Sequence, residues 1–163
     1  MAQLFNADEI FEIAEQIERN GAKFYEKAAG ATPDDTARDL FLELAAMEKR
    51  HEDTFANLRA ELPREDWTAT VDPEGEAALY LRAVADGHIF DLKRNPADSL
   101  KGNATPAEVL RMAIDIEKDS VAFYVAMQGM VPAELGEDKI SKIIIEEIGH
   151  VRLLSSELAS RSR

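Results

Sequence analysis

Residues 143–154 read IIIEEIGHVRLL. The stretch is apolar enough to lie inside a protein, yet Glu146, Glu147 and His150 sit in its middle. A carboxylate buried without a partner costs several kcal/mol, so something must hold these groups in place. Glu147 and His150 are three positions apart and share one face of a helix. The rest of that face is Ile140, Ile143 and Leu154.

The same pattern stands 99 residues upstream, where Glu48 and His51 in MEKRH (47–51) are flanked by Phe41, Leu44, Phe55 and Leu58. The shift extends along the chain. IERNGAKFY (17–25) matches IEKDSVAFY (116–124), pairing Glu18 with Glu117 and Tyr25 with Tyr124. Glu9/Glu108, Ala14/Ala113, Gly30/Gly129 and Pro33/Pro132 keep the offset without gaps. One helical hairpin has been used twice, and two copies packed about a pseudo-twofold axis bury each other's apolar stripes. Glu146 aligns with Met47 and has no twin. Its expected place is the surface, with a place beside the inward-facing groups as the alternative.

Local signals predict an all-α chain. Asn6-Ala7-Asp8-Glu9 reads as a helix start with a Glu three residues on, and Ile10, Phe11, Ile13, Ala14, Ile17 and Phe24 follow with helical period. This helix is expected to reach about Ala29 and stop at Gly30. Thr32-Pro33 predicts a second start, with Pro63 as its end. Thr105-Pro106-Ala107-Glu108 opens a third helix running to about Met130. Val131-Pro132 opens a fourth, with a break near Gly136, that runs to about Ser160. Short links make antiparallel neighbours, so the chain divides into a helix pair over 7–62, a crossover over 63–104 and a helix pair over 105–160, forming one domain over 1–163. The crossover is punctuated by Pro63, Pro73, Gly75, Pro96 and Gly102, and EAALYLRAVAD (76–86) is a helix inside it. The fold expected is a four-helix bundle made of two repeated antiparallel pairs.

Composition narrows the chemistry. A formal net charge of -13, from 19 basic and 32 acidic residues, argues against binding nucleic acid through phosphates or an anionic membrane surface. The absence of cysteine excludes thiol catalysis, zinc ribbons and iron–sulfur clusters within these residues. No signal segment and no long apolar run is present, which predicts a soluble cytoplasmic protein.

Each of the four long helices points one carboxylate inward: Glu18, Glu48, Glu117 and Glu147. Two helices add a histidine, His51 and His150. A like-charge pair at about 4 Å costs on the order of 4 kcal/mol even at an effective dielectric of 20. Four carboxylates therefore cannot stay ionised together in an apolar core, whereas two divalent cations cancel their charge. Oxygen and imidazole donors without sulfur suit iron or manganese, and zinc is also accommodated. A single Glu-x-x-His on a helix carries little weight, because most such pairs are solvated. Here six residues agree in two copies, and thirty residues separate the two glutamates of each half. The set matches the ligand pattern of di-iron and di-manganese bundles, in which two helices give one Glu each and two give Glu-x-x-His.

These residues resemble the rubrerythrin branch of the ferritin-like superfamily: Glu18 with Tyr25 seven residues on, MEKRH at 47–51 and EIGH at 147–150. The likeness covers both helix pairs. It implies a ferritin-like bundle holding two iron ions, with Glu48 and Glu147 bridging, Glu18 and Glu117 terminal, and His51 and His150 completing the spheres. It further implies reduction of hydrogen peroxide or dioxygen. Two features depart from the family. Ser120, mirrored by Gly21, stands where rubrerythrins carry the extra glutamate used in ligand exchange. The rubredoxin-like domain with its four cysteines is also missing, so electrons must come from a separate donor protein. The alternatives are a ferroxidase or iron-storage protein, and a non-enzymatic interaction module stabilised by a redox-silent metal.

Further expectations concern single residues. Tyr25 and Tyr124 are expected to hydrogen-bond the ligand carboxylates or take part in redox chemistry, against the alternative of plain core tyrosines. Gly21 and Ser120 leave room for an oxidant or allow close helix packing. Trp67 plugs the bundle or an oligomer contact, and His88 is structural or exposed. Asp34-Asp35 and Glu65-Asp66 face solvent, with attraction of ferrous ion as the alternative. The apolar surface of the crossover helix predicts a homodimer.

Overall fold

The computed structural model describes residues 6–62, 76–85, 96–100, 104–131 and 133–161. Pro63, Glu65, Asp66, Trp67, Pro73, Gly75, Asp86, His88, Gly102 and Pro132, each given a role or a boundary above, lie outside them. Among the described residues all regular structure is helical: α1 (Ala7–Ala31), α2 (Asp35–Ala60), α3 (Glu76–Ala85), α4 (Pro106–Gln128) and α5 (Glu137–Ser160), with 3-10 turns at Pro96–Ser99 and Ala133–Leu135. The all-α architecture expected from the repeat is the one observed, with α3 in the crossover.

Two helix starts follow the same local chemistry. The Asn6 side chain accepts from the Glu9 amide at 2.9 Å while Glu9 accepts from the Asn6 amide at 3.1 Å. Thr105 and Glu108 make the equivalent reciprocal pair at the start of α4. Such a box satisfies two amides that the first turn leaves without partners. The end of α1 and the other two starts correct the expectation. α1 continues through Gly30 to Ala31, because nothing there forces a left-handed residue, and the extended Thr32 ends it. Asp34, not Thr32, caps α2, its carboxylate accepting from the Ala37 amide at 2.7 Å. Asp34 also binds Arg161 at the far end of the chain, at 2.9 Å, so it is not a simply solvated acid. α5 begins at Glu137 rather than at Pro132. Gly136 stands before it with φ 107°, so the fourth segment is a short 3-10 turn, a left-handed glycine and then the helix.

α1 packs on α2 and α4 on α5, the pairs meeting through α1 with α4 and α2 with α5. The interior falls into two apolar clusters. One gathers Phe11, Ile17, Phe55, Phe123, Met127 and Ile140 and is closed by Leu81 and Val84 of α3. The other gathers Phe24, Phe41, Leu44, Leu110, Ala113 and Leu154 and is closed by Ala97 and Leu100 of the crossover. Between them lies the one polar stretch of each helix stripe: Glu18 on α1, Glu48 and His51 on α2, Glu117 on α4, Glu147 and His150 on α5. Arg59 ties α2 to α1 with two hydrogen bonds to Asp8, at 2.6 and 3.0 Å.

The glycines give a test of this reading. A Cβ at Gly136 would lie 2.5 Å from Leu58 Cδ2 on a backbone with positive φ, while one at Gly30 would meet nothing within 4 Å. Gly136→Ala is expected to cost about 1–3 kcal/mol and Gly30→Ala to gain up to about 1 kcal/mol. Urea titrations of both variants should move in opposite directions.

Candidate metal centre

The six groups singled out by the repeat come together. Glu18, Glu48, His51, Glu117, Glu147 and His150 are each 4 % exposed or less. They form two overlapping sets, Glu18, Glu48, His51, Glu147 and Glu48, Glu117, Glu147, His150, and in each set the donor atoms lie within 4.8 Å of one another. Glu48 and Glu147 belong to both sets, so each has one oxygen available to either side. The two imidazoles lie near-parallel, ring centroids 5.9 Å apart.

The contacts inside the cluster fit a shared cation better than they fit hydrogen bonds. His51 Nδ1 is 2.8 Å from Glu147 Oε1, and His150 Nδ1 is 2.9 Å from Glu147 Oε2. Yet neither Nδ1, neither Glu147 oxygen, nor Glu18 Oε2 or Glu48 Oε1 has a hydrogen-bond partner of acceptable angle. Buried polar atoms are normally satisfied. Six that are not, gathered within the two donor sets, suit divalent metal: oxygen and imidazole nitrogen, with no sulfur.

Charge is balanced by protons when metal is absent. Burial first, and then the Glu48 charge, raises the Glu18 and Glu117 carboxyls well above the usual carboxylate range. Burial acts on Glu48 too, but the close Glu18 carboxyl and the nearby His150 and His51 imidazoles outweigh it and hold that carboxyl low. Glu147 is depressed in spite of burial and of the Glu48 charge, through His150 and His51. Burial opposes a charged imidazole, but surrounding carboxylates push both histidines up, Glu147, Glu18 and Glu48 at His51 and Glu117, Glu147 and Glu48 at His150. Two ionised carboxylates, two imidazolium ions and two neutral carboxyls sum to zero.

Tyr25 and Tyr124 are fully buried and act crosswise. Tyr25 on α1 donates to Glu117 Oε1 on α4, and Tyr124 on α4 donates to Glu18 Oε1 on α1. Burial and then the neighbouring carboxylate raise both phenols well above their ordinary value, so they stay protonated donors. Gly21 and Ser120 face the cluster differently. A Cβ on Gly21 would meet the Glu48 side chain at 3.4 Å, an ordinary van der Waals contact, so the glycine leaves a methyl-sized gap beside Glu48. Ser120 Oγ donates to Ile116 O of its own helix at 3.1 Å.

Glu146 takes the alternative of the two places read from the sequence, at the flank of the inward-facing groups. It is half-buried, and its Oε2 lies 2.8 Å from His51 Nε2. One residue is a 100° step around a helix, so if Glu147 points into the bundle, its predecessor can point along the flank towards α2, where the outer nitrogen of His51 emerges. The lack of a repeat partner argued for the surface, but adjacency to Glu147 was the signal that mattered.

The polypeptide path agrees with a known fold. A crystal structure described as a ferritin-like diiron-carboxylate protein from Thermotoga maritima superposes with a TM-score of 0.70, covering 98 % of each chain at 23 % identity. The fold is ferritin-like. The rubrerythrin family model matches residues 3–59, which span α1 and α2 with Glu18, Tyr25, Glu48 and His51. No curated protein matches the chain by sequence. The 163 residues hold no cysteine, so no rubredoxin-like iron–thiolate centre lies within them, and no helix among the described residues is long and apolar enough to cross a membrane.

The charge balance predicts proton release. Loading two divalent ions must displace the protons on Glu18, Glu117, His51 and His150, roughly four per pair of ions near neutral pH. Apparent metal affinity should therefore rise with pH. A dye-indicator titration with Zn²⁺ in weak buffer measures the count, and release of fewer than two protons would contradict the assigned protonation.

Proposed function

We propose that this ferritin-like chain is one domain over residues 1–163 that holds a dinuclear iron centre and reduces hydrogen peroxide or dioxygen with electrons from a separate donor protein. The observation that carries the reading is the pair of buried four-residue donor sets sharing Glu48 and Glu147. Glu18 with His51 would complete one iron position and Glu117 with His150 the other. Manganese or zinc fits the same donors, while the likeness of α1 and α2 to the rubrerythrin family favours iron.

Bound iron would supply the electrons and the Lewis acidity. The protein's own part is structural and electrostatic. The phenol of Tyr124 fixes Glu18 and that of Tyr25 fixes Glu117, each using one carboxylate oxygen and leaving the other for metal. The apolar clusters on both sides keep the ends of the centre dry, which strengthens every charge interaction within it. Overall, peroxide takes up two electrons and two protons to give two waters. Ser120 supplies no carboxylate where the rubrerythrin resemblance implies an extra glutamate, and its hydroxyl is committed to a helix carbonyl. We therefore expect a ligand set that stays fixed between oxidation states. A homodimeric cytoplasmic protein is consistent with this role.

Two experiments test it. Apoprotein loaded anaerobically with two ferrous ions per chain should be oxidised by peroxide much faster than by dioxygen in stopped-flow absorbance. The reverse order would favour a ferroxidase or iron-handling role, and oxidation by neither within minutes would sink the redox reading. Metal should also raise the melting temperature, since it binds the folded state alone. Glu147→Ala, which removes a donor common to both positions, should abolish that rise.

A further inference from the structure

The two halves of the centre differ in one hydrogen bond. His51 turns Nδ1 towards the cluster and offers its outer nitrogen to Glu146, with Nε2 2.8 Å from Oε2. His150 also turns Nδ1 inward, but its Nε2 is buried with no hydrogen-bond partner among the described residues. The repeat puts Met47 where a counterpart of Glu146 would stand, and a thioether is a weak acceptor. The tyrosine-to-glutamate bonds, by contrast, are made on both sides.

An imidazole binds metal through a bare nitrogen, so the other ring nitrogen must carry the proton. A carboxylate accepting that N–H fixes the tautomer, holds the ring in plane and makes the ligating nitrogen more basic. Glu146 does all three for His51. When His150 ligates through Nδ1, its Nε2–H is left buried without an acceptor, which works against binding. Glu146 also adds a carboxylate close to one position only, and it stands at the rim of a surface cleft of about 410 Å³ shared with Arg50, Thr54, Asn57 and Lys142.

We propose that Glu146 makes the two metal positions unequal, so that the Glu18–Glu48–His51–Glu147 position binds a divalent cation more tightly than the Glu48–Glu117–Glu147–His150 position. The inference rests on the dinuclear reading above. In it Glu146 is a positioning residue that acts through His51, giving the protein one retained ion and one that comes and goes.

The test uses manganous ion, with the free ion counted by electron paramagnetic resonance. His150→Ala leaves the first position and His51→Ala the second, and the first protein should bind Mn²⁺ roughly 10–100-fold more tightly. Adding Glu146→Leu to His150→Ala should remove most of that advantage. Glu146→Gln, which keeps an acceptor oxygen, should restore part of it, and Met47→Glu added to His51→Ala should strengthen the weaker position. Should a histidine variant lose its helicity, the full chain with and without Glu146→Leu decides, because the tighter of its two binding steps must weaken about tenfold or more. Equal affinity of the two single-position proteins, or a tight step that Glu146→Leu leaves in place, overturns the proposal while sparing the dinuclear centre. Failure of the wild-type protein to bind Mn²⁺, Fe²⁺ or Zn²⁺ overturns both.

Discussion

Four carboxylates share the space between two apolar clusters, and the rest of the molecule is arranged around their charge. No helix carrying one such group could bury its stripe alone, because the cost of desolvating an ion exceeds what neighbouring methyl groups return. Together with two imidazoles they form a set that is neutral in either of two ways, with protons or with two divalent cations. On the proposed dinuclear reading, the same six side chains would serve a folded metal-free protein and a loaded one, and loading would exchange protons for metal without leaving net charge in the core.

Geometry follows from this need. The donors come from four separate helices, so the bundle must fix four rods to within a fraction of an ångström along their axes. Reciprocal caps at Asn6 and Thr105 set where α1 and α4 begin. Asp34 and the left-handed Gly136 do the same for α2 and α5, and the Arg59–Asp8 bond holds α1 against α2. Aromatic side chains fill both sides of the polar layer. The stacked Tyr25 and Phe41 on one side and the tilted Phe55 and Tyr124 on the other carry phenols from the packed apolar region to the carboxylates they support.

Most of this was legible in the chain because it is written twice. A single Glu on an apolar stripe is ambiguous, but Glu18, Glu48, Glu117 and Glu147 at one constant offset require a common inward face, and the structure brings them together. Period and capping signals located all four long helices. Turn details were less legible, since they depend on competition between nearby groups. Asp34 outcompeted Thr32 for the amides of α2, and Gly30 stayed helical because no contact demanded otherwise. Glu146 was left between two places for the opposite reason. Its partner, His51, lies 95 positions away on another helix, and a contact that breaks the repeat cannot be inferred from the repeat.

The crosswise tyrosines bear on where such a molecule comes from. Each phenol belongs to one hairpin and supports a carboxylate of the other, so a lone hairpin would own half of the donors and lack the phenol that supports its own carboxylate. Two identical hairpins associating through this face would complete everything except the bond from Glu146. Joining the copies in one chain releases them from identity, and the sequence has used that release widely, beside the centre as a methionine against a glutamate and a glycine against a serine, while the six inward groups and the two tyrosines have been kept in duplicate.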